Sequence, residues 1–143
     1  MRRGPGAALG MALAAAFVAV APACAADLGP SEVYAGPQRL VAVDGTRRLN
    51  LYCDGSGSPT VLLDAGSGIS MAMWRRVQAE VAKTTRVCAY DRAGLGFSDA
   101  AGRPSRLSNI VDDLRRLVKA APISTPFVYV GHVWTAPRGQ GSL

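Results

Sequence analysis

The residues of this chain whose types and spacing could do chemistry gather in Asp64-Ala65-Gly66-Ser67-Gly68, Asp91-Arg92-Ala93-Gly94-Leu95-Gly96-Phe97-Ser98 and Gly131-His132. Glycines set after a strand can cradle a dinucleotide phosphate at a helix N-terminus. The third glycine of G-x-G-x-x-G, however, would fall at Met71 or at Asp99, and no G-x-x-x-x-G-K-[ST] loop occurs. A dinucleotide-binding oxidoreductase is disfavoured, and no cofactor is expected. Metal binding needs clustered ligands, but His132 is the one histidine and the cysteines form no C-x-x-C pair, so no metal site is expected. Ser67, Ser70 and Ser98 could each be a nucleophile, yet an activated serine needs a histidine base oriented by an acid. Asp91 and Arg92 read either as an acid–base pair or as a brace for the surrounding loops.

Strands and helices must position these groups. Arg39 to Val43, the turn Asp44-Gly45, and Arg48 to Cys53 with Leu49, Leu51 and Cys53 on one face read as a hairpin. Val61-Leu62-Leu63, Arg86 to Tyr90 and Phe127 to Val130 do not alternate and read as strands buried on both faces. Trp74, Val77 and Val81 recur at helical spacing up to Lys83, with Trp74 as the anchor of that helix in the core. A second stripe runs through Ile110, Leu114, Leu117 and Val118. Ser108 or Asn109 can cap it, Asp112 and Asp113 fall in its first turn, and Pro122 closes it. Strands alternating with helices predict an α/β fold with a parallel sheet, preceded by the antiparallel hairpin.

Composition bounds the class. With 143 residues, 49% hydrophobic and 18% charged, there is material for one globular core. Arg2 and Arg3 precede an uncharged run from Ala7 to Ala21, then Pro22 and Ala23-Cys24-Ala25, an A-x-A cleavage pattern. Residues 1–25 are expected to be a signal peptide and residues 26–37 a linker, which makes the protein exported, to the periplasm or the outside. A lipoprotein would need leucine where Ala21 stands, and the apolar run is shorter than the roughly 20 residues that span a bilayer, so no stable membrane anchor is expected. Arg47-Arg48, Arg75-Arg76 and Arg115-Arg116 read as solvated pairs; with aromatics at 6%, nucleic-acid binding is not expected. Cys53 and Cys88 either form a disulfide in the oxidising compartment or pack singly as small hydrophobes.

From Gln38 to His132 the chain resembles α/β-hydrolases of the proline iminopeptidase and epoxide hydrolase type. Val61 to Gly68 is similar to the third strand and oxyanion turn of that family, with Ala65 where histidine is commoner. Cys88 to Asp99 resembles the D-x-R-G-x-G-x-S turn after the fourth strand. Phe127-Val128-Tyr129-Val130-Gly131-His132 resembles the strand that enters the nucleophile elbow, G-H-S-x-G. The resemblance implies a partial α/β-hydrolase fold over residues 38–132, strands 1 to 5 in the order 1-2-4-3-5 with two or three flanking helices. It implies Ser67 N–H as one oxyanion donor, and Asp91, Arg92, Gly94, Gly96 and Ser98 as a structural turn. Strands two and four become neighbours, which favours a Cys53–Cys88 bridge.

At the elbow the pattern departs. Gly131 and His132 remain, but Val133 occupies the nucleophile position, Thr135 stands where the second glycine belongs, and residues 133–143 read as a tail foreign to the family. No triad is complete, and His132 is expected to pack beside the turn. The chain is thus expected to be an exported member of a family that hydrolyses ester, amide or related bonds, cut at the elbow by a shifted reading frame or misplaced gene end, and inactive. A small-molecule or peptide substrate belongs only to an intact member. The strand Phe127 to Val130, left at an edge, could self-associate. The other reading is a non-catalytic binding or assembly module on the same half-fold.

Overall fold

The computed structural model describes Met1 and residues 31–132. The expected leader with Cys24, the elbow positions Val133 and Thr135, and the tail 133–143 lie outside the described residues.

β1 (Arg39–Ala42) and β2 (Arg48–Asp54) form the antiparallel hairpin. Its turn is held by Asp44, whose Oδ1 accepts from Thr46 N at 3.1 Å and Arg47 N at 2.9 Å, a side chain closing its own backbone turn. β3 (Thr60–Asp64), α1 (Arg75–Ala82), β4 (Val87–Tyr90), α2 (Leu107–Ala120) and β5 (Phe127–Gly131) follow. The sheet runs β1-β2-β4-β3-β5, with β3 parallel to both β4 and β5 and with β2 antiparallel to β4. The strand order implied by the resemblance is the one observed.

Alternate residues of the central strands feed two apolar layers. Leu49, Leu51, Leu62, Cys88 and Tyr90 meet Leu117, Ala121 and Ile123, with Leu114 and Val118 packed against them, so α2 covers this face. Leu63, Val87 and Ala89 meet Met71, with Trp74, Val81 and Ala82 of the α1 region on the other. Cys53 and Cys88 stand opposite each other on β2 and β4 and are joined by a disulfide.

Several local expectations change. The segment assigned as a linker carries a 3-10 turn at Ser31–Ala35, and Tyr34 packs edge-on against Tyr52, ring centroids 5.8 Å apart. The helix read from Trp74 begins instead at Arg75, after a 3-10 turn Met71–Trp74, and Val77 is exposed while Gln78 is buried. Gln78 can occupy the inner face because its amide is satisfied there: Nε2 donates to Tyr52 O at 3.2 Å and Oε1 accepts from Tyr34 Oη at 3.0 Å. An apolar count cannot see a buried amide with partners.

In α2 neither Ser108 nor Asn109 is the cap. Arg106 holds the N-cap position without a side-chain bond, and Asn109 Nδ2 donates back to Pro104 O at 2.9 Å. The helix therefore starts two or three residues earlier, and Asp112 and Asp113 lie in its second turn. Asp113 is buried for another reason, since its carboxylate takes Arg47 at 2.8 Å and Arg103 at 2.6 Å. Arg47, read as solvated, is an inward ion-pair partner with its side chain 13% exposed. β5, whose apolar run reads as a strand buried on both faces, is the sheet's edge among the described residues, as the resemblance implied, and Val128, Tyr129 and Val130 are exposed.

Candidate functional site

Parallel pairing brings the C-terminal ends of β3, β4 and β5 to one edge, because Asp64 registers with Tyr90 on one side and with Gly131 on the other. The three motifs singled out in the sequence leave the sheet there. His132 N donates to Asp64 O at 3.0 Å, extending the β3–β5 pairing by one step. The His132 residue is exposed, and its backbone makes the attachment; the elbow turn beside which it was expected to pack lies outside the described residues.

Asp91 is the buried centre of the turn after β4. Its Oδ1 accepts from Met71 N at 2.7 Å, and its Oδ2 accepts from Asn50 Nδ2 at 3.0 Å and Phe97 N at 3.1 Å. Ser98 Oγ donates to Asp91 O at 2.6 Å and accepts from Asn50 N at 2.9 Å. A carboxylate with its oxygens so engaged holds β2, the β3–α1 connection and its own loop together, and Ser98 is committed to the same lattice. Gly96 adopts φ +50°, and a Cβ there would collide with the Asp91 carboxylate, so the loop closes over the carboxylate only without a side chain. Gly94 also takes a positive φ, and its position is more open.

Arg92 points the other way. Its Nε and Nη2 donate to Asp64 Oδ1 and Oδ2 at 2.8 and 2.9 Å, a bidentate pair with the Asp64 side chain 1% exposed. Tyr129 Oη on β5 donates to the same carboxylate. Burial first, then that bond, pushes the Tyr129 phenol up to about 12. Burial likewise raises the Tyr90 phenol. Asp64 thus ties all three parallel strand ends through side chains as well as backbone.

Ser67 is exposed on the turn after β3, and Gly68 has φ +75° with open space around it. Ser67, Arg92 and Gly94 border one cavity of about 340 Å³, closed by the loop 101–105 and the head of α2. Gly131 and His132 border a second, of about 310 Å³, between β5 and α2, with Arg92 and Asp64 at its edge. Asp91 borders neither. Among the described residues no group of three or more His, Cys, Asp or Glu could hold a metal ion, and no helix is long and apolar enough to cross a membrane.

Asn50 and Tyr129 were missed as site residues, and Asp64, inside the first glycine motif, was given no role of its own. A signal existed for Asn50, an amide in mid-strand between Leu49 and Leu51. Nothing in the sequence pairs Tyr129 with Asp64, since that contact depends on parallel register.

No family model matches the chain. Among curated proteins, an uncharacterized protein of Bacillus subtilis, YqjL, is 28% identical over 99 residues, covering 69% of this chain and 39% of that protein. An AB hydrolase superfamily protein of Gibberella zeae is 33% identical over 79 residues, covering 54% of this chain and 24% of that protein. Among solved structures, a putative lipase of Acinetobacter baumannii matches with TM-score 0.61 and 29% identity, over 69% of this chain and 34% of that one. The enol-lactonase of Burkholderia xenovorans LB400 matches with TM-score 0.57 and 26% identity, over 64% of this chain and 36% of that one. The chain therefore spans about two fifths or less of the length of the relatives it matches.

Proposed function

Because this chain is an α/β-hydrolase-family protein, we propose that it is an exported member which retains the family's strand ends and oxyanion turn but does not itself perform serine hydrolysis. The observation that carries this reading is Val133, which follows Gly131-His132 where the nucleophilic serine belongs. Valine offers no oxygen to add to a carbonyl, and its branched Cβ resists the tight strand-to-helix turn that presents a nucleophile. Thr135 in place of the second glycine opposes the same turn. His132, the chain's one histidine, lies immediately before the nucleophile position, whereas a general base must approach it from elsewhere. Ser67 N–H would supply one oxyanion donor, and its partner would come from the residue after the nucleophile; one donor without an attacking oxygen stabilises no reaction.

Export rests on Arg2 and Arg3, the uncharged run Ala7 to Ala21 and the Ala23-Cys24-Ala25 pattern. The Cys53–Cys88 bond supports it, since such bonds persist in oxidising compartments. The intact mass of protein recovered from envelope or medium should correspond to a chain beginning near Ala26, and full-length chain held in the cytoplasm would contradict export. A fluorophosphonate probe, which labels activated serines, should leave the purified protein unlabelled. A stoichiometric adduct mapped to any serine would overturn the non-hydrolytic reading.

A further inference from the structure

We infer that the end of the sheet where β3, β4 and β5 finish is a surface for reversible adhesion to an anionic lipid membrane. Three large apolar residues stand exposed there, each on a different segment: Ile69 after β3 at 41%, Phe97 after β4 at 40% and Leu107 at the head of α2 at 59%. The segments converge on one area. Met71 N and Phe97 N donate to the two oxygens of the Asp91 carboxylate, so the chain just beyond Ile69 and the loop bearing Phe97 flank a single group. Gly68, Leu95 and Pro104, close before Ile69, Phe97 and Leu107 in the chain, border the same cavity. Exposed apolar groups gathered in one place, rather than scattered singly, mark a contact surface.

The charge at this end identifies the partner. Arg75 and Arg76 open α1, and Arg106 holds the N-cap position of α2; all three are exposed and have no side-chain partner among the described residues. The carboxylates around them are already matched: Asp44 and Asp113 by Arg47, Asp99 by Arg48, Asp64 by Arg92, and Asp112 by Arg103 and Arg116. Asp91, which has no cation beside it, is buried under its hydrogen bonds. The accessible excess is therefore cationic. Cations among exposed apolar loops match the two layers of a membrane surface: the guanidinium groups meet the headgroup phosphates, and Ile69, Phe97 and Leu107 enter the acyl boundary beneath them. An acidic protein surface would meet the cations but would need a shaped pocket for each of three separate side chains, whereas a fluid acyl layer accepts them wherever they stand. Adhesion of this kind is weak and salt-sensitive, and it is not an anchor.

Co-sedimentation of the full chain with vesicles tests this. At about 0.1 M salt the chain should bind vesicles of phosphatidylglycerol and phosphatidylcholine, bind pure phosphatidylcholine at least about tenfold more weakly, and leave the anionic vesicles at about 1 M salt. The triple variant Arg75→Gln, Arg76→Gln, Arg106→Gln should weaken binding about a hundredfold, roughly fivefold per charge. Phe97→Ser with Leu107→Ser should weaken it at least about tenfold at unchanged charge. Circular dichroism checks that each variant is folded, and Phe97→Trp gives an independent reading: brominated acyl chains should quench its emission beyond any quenching seen in the unsubstituted chain. Absence of vesicle binding, equal binding to the two vesicle types, or equal sedimentation without vesicles would each overturn the inference. So would binding that survives both sets of substitutions, as adhesion through residues 1–25 would, or binding that depends on the arginines alone, as contact with an acidic protein would.

Discussion

Asp91 shows how a residue that looks catalytic in a sequence can be occupied by structure. Its carboxylate accepts three hydrogen bonds, two from backbone N–H groups, and Gly96 passes close enough that a methyl group would overlap it. Gly96→Ala should destabilise the fold by about 2–4 kcal/mol, combining the positive φ with disruption of a buried charged-group network. The urea midpoint measures this; a change within experimental error would mean the loop can move away without cost. Tyr34 and Tyr129 give the residue scale its pH dependence, since both phenols are raised to about 12, chiefly by burial. The folded state favours the neutral phenol, so that contribution is complete below the ordinary value of 10.0 and is lost as pH rises towards 12. Denaturation midpoints should therefore fall between pH 10 and 12, and fall less in the Tyr34→Phe, Tyr129→Phe double variant. Identical alkaline slopes in both proteins would contradict the assignment.

At the scale of elements, much was legible. The hairpin, the two buried strands and the second helix could be read because the apolar patterns are strong, and the strand order followed from the resemblance that the turn motifs carry. What could not be read were polar groups buried with partners far along the chain. Gln78 replaced Val77 on the inner face because Tyr34 and Tyr52 satisfy its amide, and Asp113 is buried because Arg47 and Arg103 meet it there. Of the candidate site, the glycine turns and the Asp91–Arg92 step were visible, while Tyr129 reaches Asp64 only through the register of β3 and β5. The disulfide links β2 to β4 across a separation of 35 residues. Restricting the unfolded chain in this way is worth about 4 kcal/mol in the loop-entropy model, so reduction should lower the unfolding free energy by up to about that amount. Denaturation with and without dithiothreitol measures it, and coincident curves with confirmed reduction would reject the contribution. β5 presents Val128, Tyr129 and Val130 along the sheet's edge. Exposed apolar edge strands recruit further strands. The protein should elute as an associated species at micromolar concentration and shift towards monomer on Val128→Lys; a sharp monomer for the unchanged protein would refute edge pairing.

For the molecule as a whole, the bracing of the strand ends is independent of the residues that follow His132. The ends of β3, β4 and β5 and the loop after β4 are held in place by Asp64, Arg92, Asp91 and Asn50. On the function proposed here, Val133 stands where the reacting oxygen would be. The most direct test is hydrolysis of p-nitrophenyl acetate and butyrate by the purified, contaminant-free chain, alongside the double variant Val133→Ser, Thr135→Gly. The account predicts rates at background for both proteins, because restoring an oxygen supplies neither the oriented acid nor a base beyond His132. Turnover by the unchanged protein that scales with its concentration would contradict it.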